Sequence, residues 1–327
     1  MVRGMIEFVH TYENIISVEN LLGAWCEFVK GKRKRYDVQE FELYLMDHIL
    51  LLHQELLDKT YRHGFYHAFK ISDPKPRHIH KASVRDRVLH HALYQRLYPF
   101  FDKKFIADSY SCRLNKGTHK AIERFRKYYY LVSKNNTETV WVLKCDIRKF
   151  FASIDQSILM DIFKRHVSNH DIVWLIQKVV ESFSSGEVGK GLPLGNLTSQ
   201  LLVNIYMNEF DQFVKHGLKV RYYIRYADDF VMLSHDKKEL EELLSKLSKF
   251  LEEKLKLSLH PDKVFIKTLA SGIDFLGWIH FPHHRVLRTA TKRRMLNRLN
   301  EKNTDSYLGL LKHGNAYKLR QQLASNC

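Results

Sequence analysis

Val220-Arg221-Tyr222-Tyr223-Ile224-Arg225-Tyr226-Ala227-Asp228-Asp229-Phe230-Val231-Met232-Leu233 decides how the rest of the chain is read. Val220, Tyr222 and Ile224 alternate with Arg221, Tyr223 and Arg225, the period of a half-buried strand. Phe230–Leu233 continues as a second strand, so the two carboxylates are expected at a tight hairpin tip, where Asp is tolerated. Adjacent carboxylates repel and are costly to desolvate. A cation that neutralises both explains them, and hard oxygen ligands suit Mg²⁺. A solvated turn is the plain alternative, so the partners elsewhere in the chain decide.

Asp146 is the first such partner. It ends the short β-branched strand Val140–Cys145, 82 positions before Asp228. Two-metal phosphoryl transfer needs carboxylates from separate elements converging on ions about 4 Å apart. One ion lowers the pKa of an attacking hydroxyl; the other holds the triphosphate and stabilises the leaving oxygen. Asp146 and Asp228 are the expected bridging ligands, with Asp229 a supporting charge. Asp155 is an alternative to Asp146, but it stands where a helix N-cap is expected, ahead of Ile158, Leu159, Ile162 and Phe163.

Composition limits the partners. The chain has 327 residues, enough for two or three packed subdomains, and its 45% hydrophobic content supports real cores. The formal charge of +17 predicts a polyanion, with nucleic acid ahead of an anionic membrane surface. Twenty Phe and 17 Tyr interleaved with cations favour nucleic acid, because rings stack on bases. Met1–Glu7 lacks an apolar signal core and no run approaches a membrane span, so a cytoplasmic protein without membrane contact is expected. Cys26, Cys112, Cys145 and Cys327 have no paired spacing and read as reduced thiols. His280, His283 and His284 invite a metal reading, but no Cys or acidic residue joins them at ligand spacing. Phosphate contact or a solvated loop explains them better.

The order of elements sets the fold class. Residues 13–60 read as helical, interrupted by the basic loop Lys30-Gly31-Lys32-Arg33-Lys34-Arg35, for which a solvated charge run is an equal reading. A rigid cationic turn, Asp73–Arg77, precedes a helix from Val84 to Leu97. After the Val140 strand come the Asp155 helix, the turn-rich segment Gly186–Gly195 and a helix from Leu197 to about Phe213. The hairpin, an amphipathic helix over 237–257 and a strand with Val264, Phe265 and Ile266 complete the pattern. Strand–helix–helix–hairpin–helix–strand is a split βαβ, ferredoxin-like arrangement with helices on one face.

Several motifs stand together in order. Asp146-Ile147-Arg148-Lys149-Phe150-Phe151, Gly191-Leu192-Pro193-Leu194-Gly195-Asn196-Leu197-Thr198-Ser199-Gln200 and Tyr226-Ala227-Asp228-Asp229 resemble palm motifs A, B and C of reverse transcriptases. Phe275-Leu276-Gly277-Trp278 resembles their primer grip, and Lys263 stands where motif D often has a lysine. Lys75-Pro76-Arg77 with Arg85-Asp86-Arg87 resembles the fingers motifs of prokaryotic members. The resemblance covers roughly residues 15–315, and five motifs in register are far more specific than one.

The resemblance implies an α+β right-hand polymerase with an antiparallel palm sheet on helices. N-terminal helices and fingers would take residues 1–139, the palm 140–282 with a fingers segment near 165–190, and a short basic thumb 283–327. It implies two Mg²⁺, with Mn²⁺ as substitute, held by Asp146, Asp228, Asp229 and the Ile147 carbonyl. Phe151 matches the steric gate against a ribose 2′-OH; a core Phe beside Phe150 is the competing reading. Arg77 would clamp the incoming dNTP, with Lys75 a helper, since guanidinium suits phosphate. Lys263 would protonate pyrophosphate, or be a solvated loop lysine. Leu194, Gly195 and Gln200 would support the nascent base pair. Tyr226, the Phe275–Trp278 segment, Arg288, Lys292 and Arg293 would meet primer and duplex.

Leu194 and Gln200 replace the Gln and Pro of many relatives, a form typical of reverse transcriptases from diversity-generating retroelements. An apolar Leu removes a donor beside the base pair, so right and wrong pairs differ less in energy. Low fidelity follows, and the resemblance implies that the errors fall at adenines. A group II intron protein is disfavoured, since only about fifty residues follow Trp278, and a retron-type Val-Thr-Gly is absent. The implied partners are template RNA, primer or cDNA, and a small helical accessory protein. The rival readings are a defence-associated or retron-type enzyme using its own noncoding RNA, and a basic RNA-binding protein with a vestigial site.

Overall fold

The computed structural model describes residues 7–72 and 76–325, which excludes Lys75. The chain forms two compact units, one from residues 1–107, 147–217 and 249–258, the other from 108–146, 218–248 and 259–327.

In the first unit the expected helical stretch over 13–60 is four helices: α1 (Tyr12–Ile16), α2 (Val18–Val29), α3 (Tyr36–Leu43) and α4 (Leu45–Leu57). Ser17 breaks the first pair because its hydroxyl caps α2 by accepting from Asn20 N. The basic run 30–35 forms the turn before α3. An antiparallel hairpin follows, β1 (His67–Ile71) and β2 (Arg77–Lys81), with Ile71 opposite Arg77. Helix α5 (Val84–Asp102), capped by Ser83, runs past the expected Leu97 end and through Pro99. It packs along α2, where buried Asn20 donates to Ala92 O at 3.3 Å and accepts from Arg96 Nε at 2.8 Å.

In the second unit, helix α6 (Thr118–Val132) was not anticipated from sequence, although Ala121, Ile122, Phe125, Tyr128, Tyr129 and Val132 give it a buried stripe at helical spacing. Strand β3 (Trp141–Asp146) follows it.

The chain then returns to the first unit. There it forms the short turn α7 (Phe150–Ser153), then α8 (Gln156–Lys164), α9 (His170–Glu181) and α10 (Leu197–Gln212), the last ending in a π-helical turn over Phe213–Gly217. Asp155 caps α8, accepting from Ile158 N at 3.0 Å. Buried Gln156 ties α8 to the following segments, its Nε2 lying 3.0 Å from Val180 O, 2.8 Å from Phe183 O and 2.9 Å from Gly191 O.

Strands β4 (Tyr223–Tyr226) and β5 (Asp229–Ser234) form the hairpin, α11 (Lys237–Leu255) follows, and β6 (Phe265–Thr268) completes a four-stranded antiparallel sheet ordered β4-β5-β3-β6. This is the ferredoxin-like order that the pattern predicts. Val142, Ile224, Val231 and Leu233 share a core with Phe125, Tyr128 and Tyr129 of α6. The expected strand from Val220 begins only at Tyr223, and it is not half-buried: Tyr223, Ile224 and Arg225 are all buried. A small sheet, β7 (Ile273–Phe275), β8 (Trp278–His280) and β9 (Arg285–Leu287), leads to helices α12 (Thr289–Arg298), α13 (Glu301–Leu311) and α14 (Tyr317–Ser325). Trp278, Leu287, Met295, Leu311 and Leu323 form their core.

Candidate active site

The register of the four-stranded sheet brings the carboxylates together. Asp146, the last residue of β3, lies directly opposite Asp229, the first of β5. Asp229 also pairs with Tyr226 across the hairpin, which leaves Ala227 and Asp228 as the two-residue turn. Ala227 has φ +56°, the left-handed conformation that a two-residue hairpin turn favours. Residues directly opposite in an antiparallel pair project to the same face. Asp146 and Asp229 therefore face the same way, and Asp228 stands one residue from them at the tip.

Two lysines meet these carboxylates. Lys144 lies two residues before Asp146 on the same face of β3, and only 10% of its side chain is exposed. Its Nζ is 3.2 Å from Asp229 Oδ1, a close ion pair without hydrogen-bond geometry, since that buried oxygen has no hydrogen-bond partner. Lys263 Nζ donates to Asp146 Oδ1 at 2.8 Å. The short 3₁₀ turn Pro261–Lys263 positions it, and His260 N donates to Asp146 O at 2.8 Å. Lys263 is thus half-exposed yet engaged, not a free loop lysine.

Asp229 is pushed up to about 6, first by desolvation and further by the neighbouring Asp146 and Asp228, against the pull of Lys144. A carboxylate so buried beside two others fits a hard divalent cation such as Mg²⁺ or Mn²⁺. The cage is not preformed: among the described residues no group of three or more His, Cys, Asp or Glu is gathered to hold an ion as it stands. Lys144 and Lys263 hold two of the donors, and an incoming ion would exchange with them. His280 is buried, with its ring nitrogen 3.2 Å from Phe275 O, so it is a core histidine.

By alternation Arg225 falls on the same side of the strand as Arg221 and Tyr223, away from Ile224. It is 1% exposed. Its Nη1 donates to Ala227 O at 3.1 Å and its Nη2 to Ser109 Oγ at 3.2 Å. Its backbone is bracketed by the segment before α6: Arg225 N donates to Asp108 O at 3.0 Å and Tyr110 N to Arg225 O at 3.0 Å. The Asp108 carboxylate in turn accepts from Arg124 Nε at 2.7 Å and Tyr128 Oη at 2.6 Å. A buried cation thereby holds the carbonyl of the one left-handed residue in the carboxylate turn. Its only sequence signal is an Arg placed immediately before Tyr-Ala-Asp-Asp in an apolar run.

The remaining residues of this unit fall into two sets. Tyr226 Oη accepts from Thr118 Oγ1 at 3.2 Å. Phe275 and Trp278 are 0% and 2% exposed, so their rings are core. The turn residues between them, Leu276 and Gly277, are both at positive φ. Arg288 Nε donates to Asp274 Oδ1 at 2.9 Å, while Lys292 and Arg293 of α12 are exposed.

In the first unit, Phe150 is buried and Phe151 is only partly so; Phe151 O accepts from Leu192 N at 2.8 Å. Ile147 is buried. Arg77 is exposed at the start of β2. The Leu194–Asn196 turn is sewn to β2: His80 N donates to Leu194 O at 3.0 Å, and Asn196 Nδ2 to His80 O at 2.8 Å. Gly195 is required there, because its φ is +109° and a Cβ would lie 2.8 Å from Ile79 Cγ2. Gln200 follows in the first turn of α10, half-buried.

Residues 70–280 match the family model "Reverse transcriptase (RNA-dependent DNA polymerase)". The chain belongs to this family. Among relatives of this reverse transcriptase, Protein YkfC of Escherichia coli (strain K12) is 27% identical over 259 residues, spanning 68% of this chain and 66% of YkfC. Group II intron-encoded protein LtrA of Lactococcus lactis subsp. cremoris is 23% identical over 292 residues, 69% of this chain and 47% of LtrA. The matches thus span less than two thirds of these relatives' own length. Telomerase from Candida albicans, solved with a fragment of telomeric RNA, superposes with a TM-score of 0.54 at 11% identity, over 77% of this chain and 51% of that one. Telomerase from Candida tropicalis gives 0.52 at 14% identity over 68% and 55%. At these identities the likeness is one of fold, the right-hand polymerase fold.

Proposed function

We propose that this protein is an RNA-directed DNA polymerase that extends a primer on a structured template RNA with dNTPs. The observation that carries the proposal is the register of Asp146 opposite Asp229, with Asp228 next to it at the turn. Asp146, Asp228 and Asp229 would hold two Mg²⁺, with the Ile147 carbonyl as a further donor. Bound there, the ions supply an activated primer hydroxyl and charge neutralisation at the leaving pyrophosphate. Around them the chain's own groups orient the reactants. Arg225 fixes the turn that presents Asp228. Lys263, released from Asp146, would give a proton to pyrophosphate. Arg77 and Lys75 would draw the triphosphate in, and partly exposed Phe151, five positions after Asp146 in the sequence, would bar a ribose 2′-OH. Leu276 and Gly277 would seat the primer end, and the cations Lys292 and Arg293 the duplex phosphates. Residues 1–139, 140–282 and 283–327 would serve as fingers, palm and thumb.

Within this class, Leu194 and Gln200 favour the error-prone enzymes of diversity-generating retroelements, acting in the cytoplasm with a small helical accessory protein. A near-identical repeat pair differing at adenines in the neighbouring DNA supports that assignment; without one, a defence-type enzyme is favoured. The test of the polymerase itself is Asp228→Asn. It should abolish dNTP incorporation on an RNA template while RNA affinity stays within about twofold. Retained synthesis would remove the two-metal assignment.

A further inference from the structure

Lys144 has no part in the functional assignment above, yet it is the more deeply buried of the two lysines at the carboxylates. It lies on β3, the strand between β5 and β6, opposite Val231 on one side and Phe265 on the other. Residues directly opposite one another share a face, and so do residues two apart on one strand. Lys144 therefore stands on one face with buried Val142 and Val231 behind it and with Asp146 and Asp229 ahead of it. Asp229 is its diagonal neighbour, a separation that a long side chain spans, and its Nζ ends 3.2 Å from Asp229 Oδ1.

The two lysines of this cluster are held differently. Lys263 comes from the short Pro261–Lys263 turn, and its side chain is 41% exposed, so its head can turn out into water. The Lys144 side chain is 10% exposed, and its strand is paired on both sides in the sheet. A buried ammonium without a counter-charge is costly. Asp229 is the one carboxylate in an ion pair with it among the described residues, so the head has no second place to go. The pairing is also incomplete, because Asp229 Oδ1 is buried and accepts no hydrogen bond. Lys144 thus answers the charge of that oxygen and leaves its lone pairs open. A cation can coordinate the oxygen without first breaking a hydrogen bond there.

We propose that Lys144 is a resident counter-ion of the carboxylate cluster: it stands in for a divalent cation in the ion-free protein and, because it stays in place, weakens every divalent cation that binds beside it. Without ions, Asp146, Asp228 and Asp229 crowd one end of the sheet, and a fixed positive charge offsets their repulsion. With a divalent cation bound, the same charge opposes it. Repulsion between the two at about 5 Å, in a site of effective dielectric about 20, changes an affinity by at least about tenfold. The lysine thereby lowers ion affinity and lets the site fold without ions. The inference rests on the reading of these carboxylates as the ion site, and the test separates the two.

Full-length native protein, Lys144→Met and Lys144→Gln are titrated with Mn²⁺ in the absence of nucleic acid and dNTP. Free Mn²⁺ is read from its electron paramagnetic resonance signal, and melting curves are recorded with and without the ion. Mn²⁺ should bind at least about tenfold more tightly to either variant. Without the ion both variants should melt below the native protein. Saturating Mn²⁺ should narrow that gap, because it takes over the charge that the lysine supplied. Affinity within about twofold of native, or a melting gap that Mn²⁺ leaves unchanged, would make Lys144 a packing residue and overturn the proposal. Failure of both variants to fold even in saturating Mn²⁺ would overturn it as well. Asp228→Asn is the control on the site itself and should weaken Mn²⁺ binding. Binding that Asp228→Asn leaves unchanged would overturn the ion-site reading, and the proposal with it. Binding that Asp228→Asn weakens but the Lys144 variants leave unchanged would overturn the proposal alone.

Discussion

Replacing Arg225 by Met tests whether the buried guanidinium sets the geometry of the carboxylate turn or merely fills space. The Met keeps the aliphatic stem and removes the donors to Ala227 O and Ser109 Oγ, at 3.1 and 3.2 Å. Hydrogen bonds from a charged donor contribute about 1.5–3 kcal/mol each, so about 3 kcal/mol or more of stability should be lost. The share acting on Ala227 also opposes the cost of about 1–2 kcal/mol for an alanine in the left-handed region. Without that hold the turn relaxes and Asp228 moves off its position beside Asp146 and Asp229. At 1.36 kcal/mol per factor of ten, losing the Ala227 contact should lower the single-turnover rate by roughly 10- to 100-fold, with dNTP affinity little changed. Arg225→Lys keeps the charge without the planar fork and should recover part of the rate. Ser109→Ala, which removes only the far anchor, should cost stability more than rate. The assay is single-turnover primer extension, normalised to the folded fraction from a denaturation curve. If the methionine variant is destabilised but its folded fraction extends primer within twofold of the native rate, Arg225 is only a packing residue.

Phe151→Ala should reduce discrimination between dNTP and rNTP by about 10- to 100-fold, the scale of a relieved overlap of 1–3 kcal/mol; unchanged sugar selection would return the ring to a packing role. Leu194→Gln puts an amide where the nascent base pair is proposed to lie, worth about 1 kcal/mol, and should lower misincorporation opposite adenine several-fold, as read by sequencing cDNA. For His280, burial lowers the pKa from 6.5 to about 4. Between those values the unfolded chain binds a proton that the folded chain does not. Stability therefore rises with pH across this window and is lost as pH falls from about 6.5 to 4, by at most about 3 kcal/mol. His280→Phe should flatten that part of the stability profile, and an undiminished acid slope would place the sensitivity elsewhere.

The hairpin, the strand ending at Asp146, the Asp155 cap and the order of strands were legible in the sequence because each rests on local periodicity or turn chemistry. Asp228 and Asp229 sit within two residues of where alternation puts them. Their unequal situations were not legible. Asp229 is a strand residue buried against Lys144, and Asp228 is at the turn, a difference fixed by the Asp146–Asp229 register. Likewise Phe275 and Trp278 are readable as a motif, but their burial depends on packing against α6, far off in sequence, and against α12–α14, which follow them.

The sequence alone determined that this is a basic α+β chain with a polymerase palm motif set, since charge, alternation and motif order are properties of the string. Tertiary structure decided which charges face one another. Lys144 and Lys263 reach the carboxylates, and Arg225 turns inward to hold Ala227. Those contacts depend on strand register and helix packing, which join residues tens of positions apart, and no local pattern encodes a distance across such a gap.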